Sequence, residues 1–367
     1  MFFSLMRSLG LGKIFGIEIE IHWTFLILII AITAALAFFE PEILFSTLTV
    51  FFLLFLSVFV HELMHSIVAI KKGINVSKII LLPIGGVSLM EDIPENPKDE
   101  FLISIAGPLF NFVVVAVILA LVSLLKLPFP EDVLSIGIEK AILDYPLFAL
   151  LWVNFVLGIF NLFVPALPLD GGRVFRALIS MKYGYEKSTH IISKASTIIS
   201  VILFIAGLLT GSILVMIVAV FIYLGSAQED KIAAIKSVLK NEDLFQIINP
   251  NPVILTPAMP VYQALDLMLS QKKTRFLIFL GNNKFGSIEA SDLTQLSQSQ
   301  LSSPLRAIAA PVESISLSGK AGKAMEKFMT KGYSILPVMS DGQFIGSIEL
   351  EDMEKLYQLS RLKRSIK

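Results

Sequence analysis

Residues 59–67 read FVHELMHSI and set two histidines and a glutamate at the end of an apolar run. His61 and His65 are four apart, which puts both imidazoles on one face of a helix, where they can hold a single zinc ion. Glu62 lies beside them. A carboxylate there can take a proton from water whose pKa the metal lowers toward neutrality, and pass it to a leaving amine. The plainer alternative is that three polar residues mark where a span emerges into water. Against it, SIVAI follows before Lys71, which keeps the motif about two turns inside the boundary. Ionisable residues within a span are expensive and usually functional.

Two histidines leave a zinc site incomplete; a third protein ligand is needed, with one position open for water. The extension H-E-x-x-H-x-x-G-x-x-H is excluded, because Val68 and Lys71 stand where it needs glycine and histidine. His22 reads as an interfacial residue beside Trp23, and His190, between Lys187 and Lys194, as solvated. The best remaining candidate is Asp170 in NLFVPALPLDGGRVFRAL (161–178). It ends 25 uncharged residues, and Pro165, Pro168, Gly171 and Gly172 break the helix there. Irregular backbone at membrane depth is tolerated where it lines a wet cavity, and a catalytic metal site needs such a cavity to admit its water. The alternative for Asp170 is a turn or cap residue at the interface, with Gly171 and Gly172 as turn glycines.

The kind of element that must hold these residues follows from composition. The chain has 367 residues, no cysteine, a formal net charge of zero, 55% hydrophobic residues and a mean hydropathy of +0.77. Such values belong to multi-span membrane proteins. Absence of cysteine removes disulfides, thiolate ligands and a cysteine nucleophile, so a metal must use His, Asp or Glu. Balanced charge leaves no basic stripe for nucleic acid. Residues 1–23 lack a signal-type apolar region and cleavage site and read as mature protein.

A span needs about 20 mainly apolar residues. Residues 21–39, 43–60 (continuing to 70), 101–125 and 145–169 qualify, and 194–229 reads as two spans joined at TGS, 210–212. The expected count is six; five is the alternative, because the last pair is short. Lysine and arginine mark cytoplasmic loops. Arg7 and Lys13, then Lys71, Lys72 and Lys78, then Arg173, Arg176, Lys182 and Lys187 all fall on one side. The N-terminus, the end of span two and the C-terminal region are therefore expected on the cytoplasmic side of a cell membrane.

From about Glu229 the hydropathy falls and an internal repeat begins. GSIEASD (286–292) and GSIELED (346–352) recur at an offset of 60. Amphipathic helices are predicted over 261–272 and 320–331, each followed by two β segments, and two such units pack into one body because neither buries its apolar face alone. Upstream, NVSKIILLPIGGVSLMEDI (75–93) carries β-branched residues on both sides of GG. It reads equally as a hairpin or as a cytoplasmic loop. A hairpin dipping into the membrane would offer a free edge to an unwound substrate strand.

HELMH in one span and PALPLDGG in a later one resemble the two signature motifs of site-2-type intramembrane zinc metalloproteases. LPIGGV (82–87) and AGPLFN (106–111) are similar to the family's loop and third-span motifs, in the same order, so the resemblance covers nearly all of residues 15–228. It implies a polytopic α-helical membrane protein of about six transmembrane helices. His61, His65 and Asp170 would bind one catalytic Zn2+ and Glu62 would be the general base. The implied reaction is peptide hydrolysis within transmembrane segments of single-span membrane proteins, in contact with membrane lipid. Asn111 and Asn161 fall on family asparagines that support the site or the oxyanion. For Asn161 there is a departure, since the family has one residue fewer between this asparagine and the proline, which leaves its orientation open.

The C-terminal repeat resembles a pair of CBS domains, a soluble α/β regulatory module carried by some members of that family. The expected organisation is a protease domain over 1–230 and CBS copies over 245–299 and 303–360. Paired CBS copies often bind adenine nucleotides, and Asp292 and Asp352 would face the ribose. Glu289 and Glu349 stand where nucleotide-binding copies carry Ser or Thr, and a carboxylate there repels phosphates. A ligand-free structural module, or one that forms a dimer, is the equal alternative. Two rival functions stay open. A CBS-regulated channel or transporter predicts ionisable residues spread over several spans; an inactive, substrate-binding relative would not need Glu62.

Overall fold

The computed structural model describes residues 8–83, 85–90, 96–130, 132–240, 242–293 and 296–366. Two compact units divide the chain, Met1–Ala233 and Ala234–Lys367.

The first unit begins with a feature absent from the sequence expectation. Strands β1 (Ser8–Ile14) and β2 (Ile17–His22) form an antiparallel hairpin. Its two-residue turn, Phe15 and Gly16, has positive φ at both positions (52° and 83°), the geometry whose twist matches a hairpin. The alternation IEIEIH drives it, with Ile17 and Ile19 buried and Glu18 exposed. Then come α1 (Trp23–Phe39), α2 (Leu44–Lys71), β3 (Val76–Leu82), β4 (Gly85–Met90) and α3 (Pro97–Leu125). Two short helices follow, α4 (Val133–Ile136) and α5 (Ile138–Asp144), and then α6 (Pro146–Phe163), α7 (Asp170–Tyr183), α8 (Tyr185–Thr210) and α9 (Ile213–Leu239).

Among the described residues, α2, α3, α6, α8 and α9 are long and apolar enough to cross a membrane. The remaining expected span, α1, is helical but has 17 residues, about 25 Å at 1.5 Å per residue, short of a hydrocarbon core of about 30 Å. The molecule is a multi-pass membrane protein. Gly211, at φ 67°, ends α8 and makes the expected turn into α9.

Segment 75–93 is a hairpin within its described residues; Ile84 and residues 91–93 lie outside them. β3 pairs with β4 antiparallel and with β2 parallel, giving the order β1-β2-β3-β4. The sheet packs its apolar face on the bundle through Ile17, Ile19, Val76 and Ile79 against Ala69 of α2 and Ile103 of α3. β4 is thus held against the C-terminal half of α2, where the histidines lie.

Arg173 and Arg176, expected to mark a cytoplasmic loop, lie on α7 in an ion network in which Arg176 is buried and Arg173 partly exposed. Arg176 is 2% exposed. Its Nε donates to Glu100 Oε1 of α3 at 2.8 Å, its Nη1 donates to Glu229 of α9, and Arg173 Nη2 donates to Glu229 Oε1 at 3.1 Å. Charge is balanced, so the cluster joins three helices without leaving a buried ion alone.

The second unit contains the repeat. Its first half runs β5 (Ile254–Leu255), α10 (Val261–Gln271), β6 (Arg275–Gly281), β7 (Lys284–Glu289), α11 (Ala290–Leu293) and β8 (Ala310–Val312). Its second runs β9 (Ile315–Ser316), α12 (Ala321–Thr330), β10 (Ile335–Ser340), β11 (Gln343–Glu349) and α13 (Leu350–Ile366). The sheets are ordered β5-β6-β7-β8 and β11-β10-β9. Each half has its own core: Ala264, Met268, Ile278 and Ile288 in one, Ala324, Phe328, Val338 and Ile348 at the same offset in the other. The halves meet through Phe285 and Phe344, with ring centroids 5.0 Å apart.

Candidate metal centre

His61 and His65 project from one face of α2, with rings 4.7 Å apart and nearly perpendicular. Each ring is held through Nδ1: His61 donates to Asn111 Oδ1 of α3 and His65 to the carbonyl of Ile103, both at 2.6 Å. Those bonds leave the Nε2 lone pairs as the available donors. Both aim at Asp170 Oδ2, at 3.0 and 3.1 Å, and the two Nε2 atoms are 3.1 Å apart. Ligands of a tetrahedral zinc ion at about 2.0–2.1 Å stand about 3.3 Å from each other, so this three-cornered set fits one. Among the described residues this is the only group of three such ligand atoms, all within 4.8 Å.

Two features make room for it. A Cβ on Gly107 of α3 would lie 2.4 Å from His65 Nε2 and 2.8 Å from His61 Nε2, so α3 approaches the site only because residue 107 has no side chain. Asp170 is the first residue of α7, directly after the irregular segment 164–169. Side chains on Gly171 or Gly172 would strike that segment, at 2.4 Å from the Val164 carbonyl oxygen and 2.5 Å from the Leu167 nitrogen. The glycine pair lets a helix start flush against the preceding loop, and the Leu167 N–H is anchored on Ser196 Oγ of α8 at 2.8 Å.

Behind His61 lies a chain of amides. Asn111 Nδ2 donates to Asn154 Oδ1 at 2.7 Å, and Asn154 Nδ2 donates to Ser57 Oγ at 3.0 Å and to the Leu150 carbonyl at 2.8 Å. Asn154 of α6 was not singled out from sequence, although an amide inside an apolar span is itself a signal of interhelical bonding. Asn161 is half-buried near the end of α6 and shares no hydrogen bond with these residues.

Glu62 turns toward the hairpin, where its Oε2 accepts a hydrogen bond from Ser88 Oγ at 2.7 Å. The other histidines stand apart from the centre. His22 is buried at the start of α1, its Nδ1 accepting from the Thr24 N–H at 3.3 Å; exposed His190 lies 3.1 Å from Asp230. In the second unit, Asp292 Oδ2 and Asp352 Oδ2 accept from the Glu289 and Glu349 N–H groups at 2.8 and 3.1 Å, so both carboxylates hold the starts of the helices they belong to. An apolar cavity of about 540 Å³ lined by Phe25, Phe51, Phe55 and Phe59 lies between α1, α2 and the sheet. None of the metal-centre residues lines it.

The model of peptidase family M50 matches residues 49–203, from α2 into α8. A zinc metalloprotease of Methanocaldococcus jannaschii is 41% identical over 266 residues, covering 72% of this chain and 73% of the relative. A solved site-2 protease from the same organism is 40% identical, with a TM-score of 0.46 over 61% of this chain and 95% of that one. A solved CBS domain is similar at 19% identity and a TM-score of 0.29, over 31% of this chain and 96% of that one. On the family match, the long relative and the His-His-Asp centre, the chain belongs to peptidase family M50 as a membrane zinc metalloprotease.

Proposed function

We propose that the protein is an intramembrane endopeptidase that cuts transmembrane segments of single-span membrane proteins near their cytoplasmic ends. The observation that carries this reading is the convergence of His61, His65 and Asp170 within a bundle of apolar helices, with Glu62 next to His61. These three residues would hold one zinc ion, which supplies Lewis acidity to water and to the scissile carbonyl. Glu62 takes the proton of the attacking water and delivers it to the leaving amine. Asn111 and the Ile103 carbonyl keep both imidazoles presenting Nε2.

The outer edge of β4 supports a route for the substrate. β4 is last in its sheet and pairs on one side with β3, so an unwound peptide can add to its other edge as a further strand. The lysines at 13, 71, 72, 78, 182 and 187 support a cytoplasmic placement of the N-terminus and the C-terminal unit. That unit we read as a CBS pair. Asp292 and Asp352 are engaged within the fold, and Glu289 and Glu349 repel phosphate, which together favour a structural or dimerising module over an adenine-nucleotide site.

The test uses purified full chain, zinc and a single-span substrate in membranes. Wild type cleaves, whereas Glu62→Gln and Asp170→Asn do not. Unchanged cleavage in Glu62→Gln overturns the mechanism, and ion flux without cleavage would favour a channel.

A further inference from the structure

Among the described residues, the Glu62 carboxylate takes its hydrogen bond from Ser88 of β4. Gly86, two residues earlier, shares that face of the strand. A Cβ on Gly86 would lie 2.5 Å from Glu62 Cγ and 3.3 Å from Val58 Cγ1. Gly86 therefore admits the methylenes of Glu62, and Ser88 holds its carboxylate. One turn on along α2, Ser66 Oγ donates to the Glu62 carbonyl at 2.8 Å and stands 3.2 Å from Ser88 Oγ, so the Ser88 hydroxyl is wedged between helix and strand.

We propose that Ser88 is a positioning residue for Glu62, tying the general base to the strand whose outer edge receives the substrate. The inference rests on the reading of Glu62 as the base. A glutamate side chain has several rotatable bonds, yet this one must face first the attacking water and then the leaving amine, so its orientation has to be held. A neutral hydroxyl does this without cancelling the negative charge, as a lysine would, and by taking Oε2 it leaves Oε1 for the proton. An extended peptide paired to β4 is located by the same backbone that carries Ser88. Base and scissile carbonyl thus share one frame of reference through β4.

Ser88→Thr and Ser88→Val test it, since the two side chains have nearly the same shape, both suit a strand, and they differ in the hydroxyl. In the full chain with a single-span substrate, Ser88→Val is expected to lose about tenfold or more in kcat, the effect of one hydrogen bond to a charged group. KM should stay within about twofold, and Ser88→Thr should restore kcat. Zinc content and melting temperature should match wild type in both. Equal kcat in the Val and Thr variants, or a loss confined to KM, overturns the proposal. Glu62→Gln in the same assay separates the two readings. If it is inactive while Ser88→Val cleaves at the wild-type rate, the role of Ser88 alone fails; if Glu62→Gln itself cleaves normally, the general-base reading fails.

Discussion

His61 Nδ1 donates to Asn111 Oδ1 across 2.6 Å, from α2 to α3, and the Nδ2 of the same amide donates a hydrogen bond to Asn154 Oδ1 of α6. Three membrane helices are thereby joined through the ring of one metal ligand. An imidazole whose second nitrogen is held in this way presents a fixed tautomer and is a stronger ligand than one left to rotate.

Replacing Asn111 with leucine should therefore weaken zinc binding by about 10- to 100-fold. Zinc retained against a chelator, measured on purified protein, checks this. Asn154→Leu should act less on the metal and more on the bundle, destabilising it by about 1–3 kcal/mol because Asn111 loses its acceptor in a dry interior.

Gly107→Ala puts a methyl group where the two Nε2 atoms converge. The histidines can move only by giving up their bonds to Asn111 and Ile103. Zinc content should fall to background in this variant while the helical circular dichroism of the bundle is kept.

Arg176→Met removes the shared cation and leaves the carboxylate of Glu100, itself 3% exposed, without its partner. Truncating one side of a buried ion cluster is expected to destabilise by about 3–5 kcal/mol. Thermal unfolding in detergent measures it. Because Asp170 is on the same helix, α7, zinc should be lost at a lower temperature as well.

Burial pushes the Glu349 carboxyl above its ordinary value, and Lys273 at 3.8 Å offsets this only in part. A carboxyl with a raised folded pKa contributes its full stability below the unfolded pKa of about 4.3 and loses it as pH rises through the folded pKa. Glu349→Gln should thus raise the melting temperature of the C-terminal unit at pH 7.5, with the gain disappearing near pH 4. An unchanged difference across that range would contradict the sign.

Legibility differed by element for physical reasons. Helices α2, α3, α6, α8 and α9 were readable because a span must be long, apolar and uncharged, and those properties are local. The repeat of the second unit was readable from its offset of 60. The β1–β2 hairpin was not, since its alternating IEIEIH is short and adjoins a stronger apolar signal. Whether 75–93 was a hairpin could not be decided in advance, because its strands are stabilised by β2, whose partnership is nonlocal. Arg176 read as a loop marker until its carboxylates, 53 and 76 residues away, came beside it.

By itself, the sequence determined that two imidazoles share a helix face within an apolar run, that a third ligand had to be found elsewhere, and that Asp170 ended the best broken span. Helical periodicity and the cost of burying charge are enough for that. Tertiary structure alone decided that Asp170 lies 3.0 and 3.1 Å from the histidines, that Asn154 and not Asn161 completes the amide chain, and that Glu62 is held by Ser88. Each of those contacts joins residues on separate elements. Their distances depend on how helices and hairpin pack, above all on the close approaches that Gly86, Gly107, Gly171 and Gly172 permit.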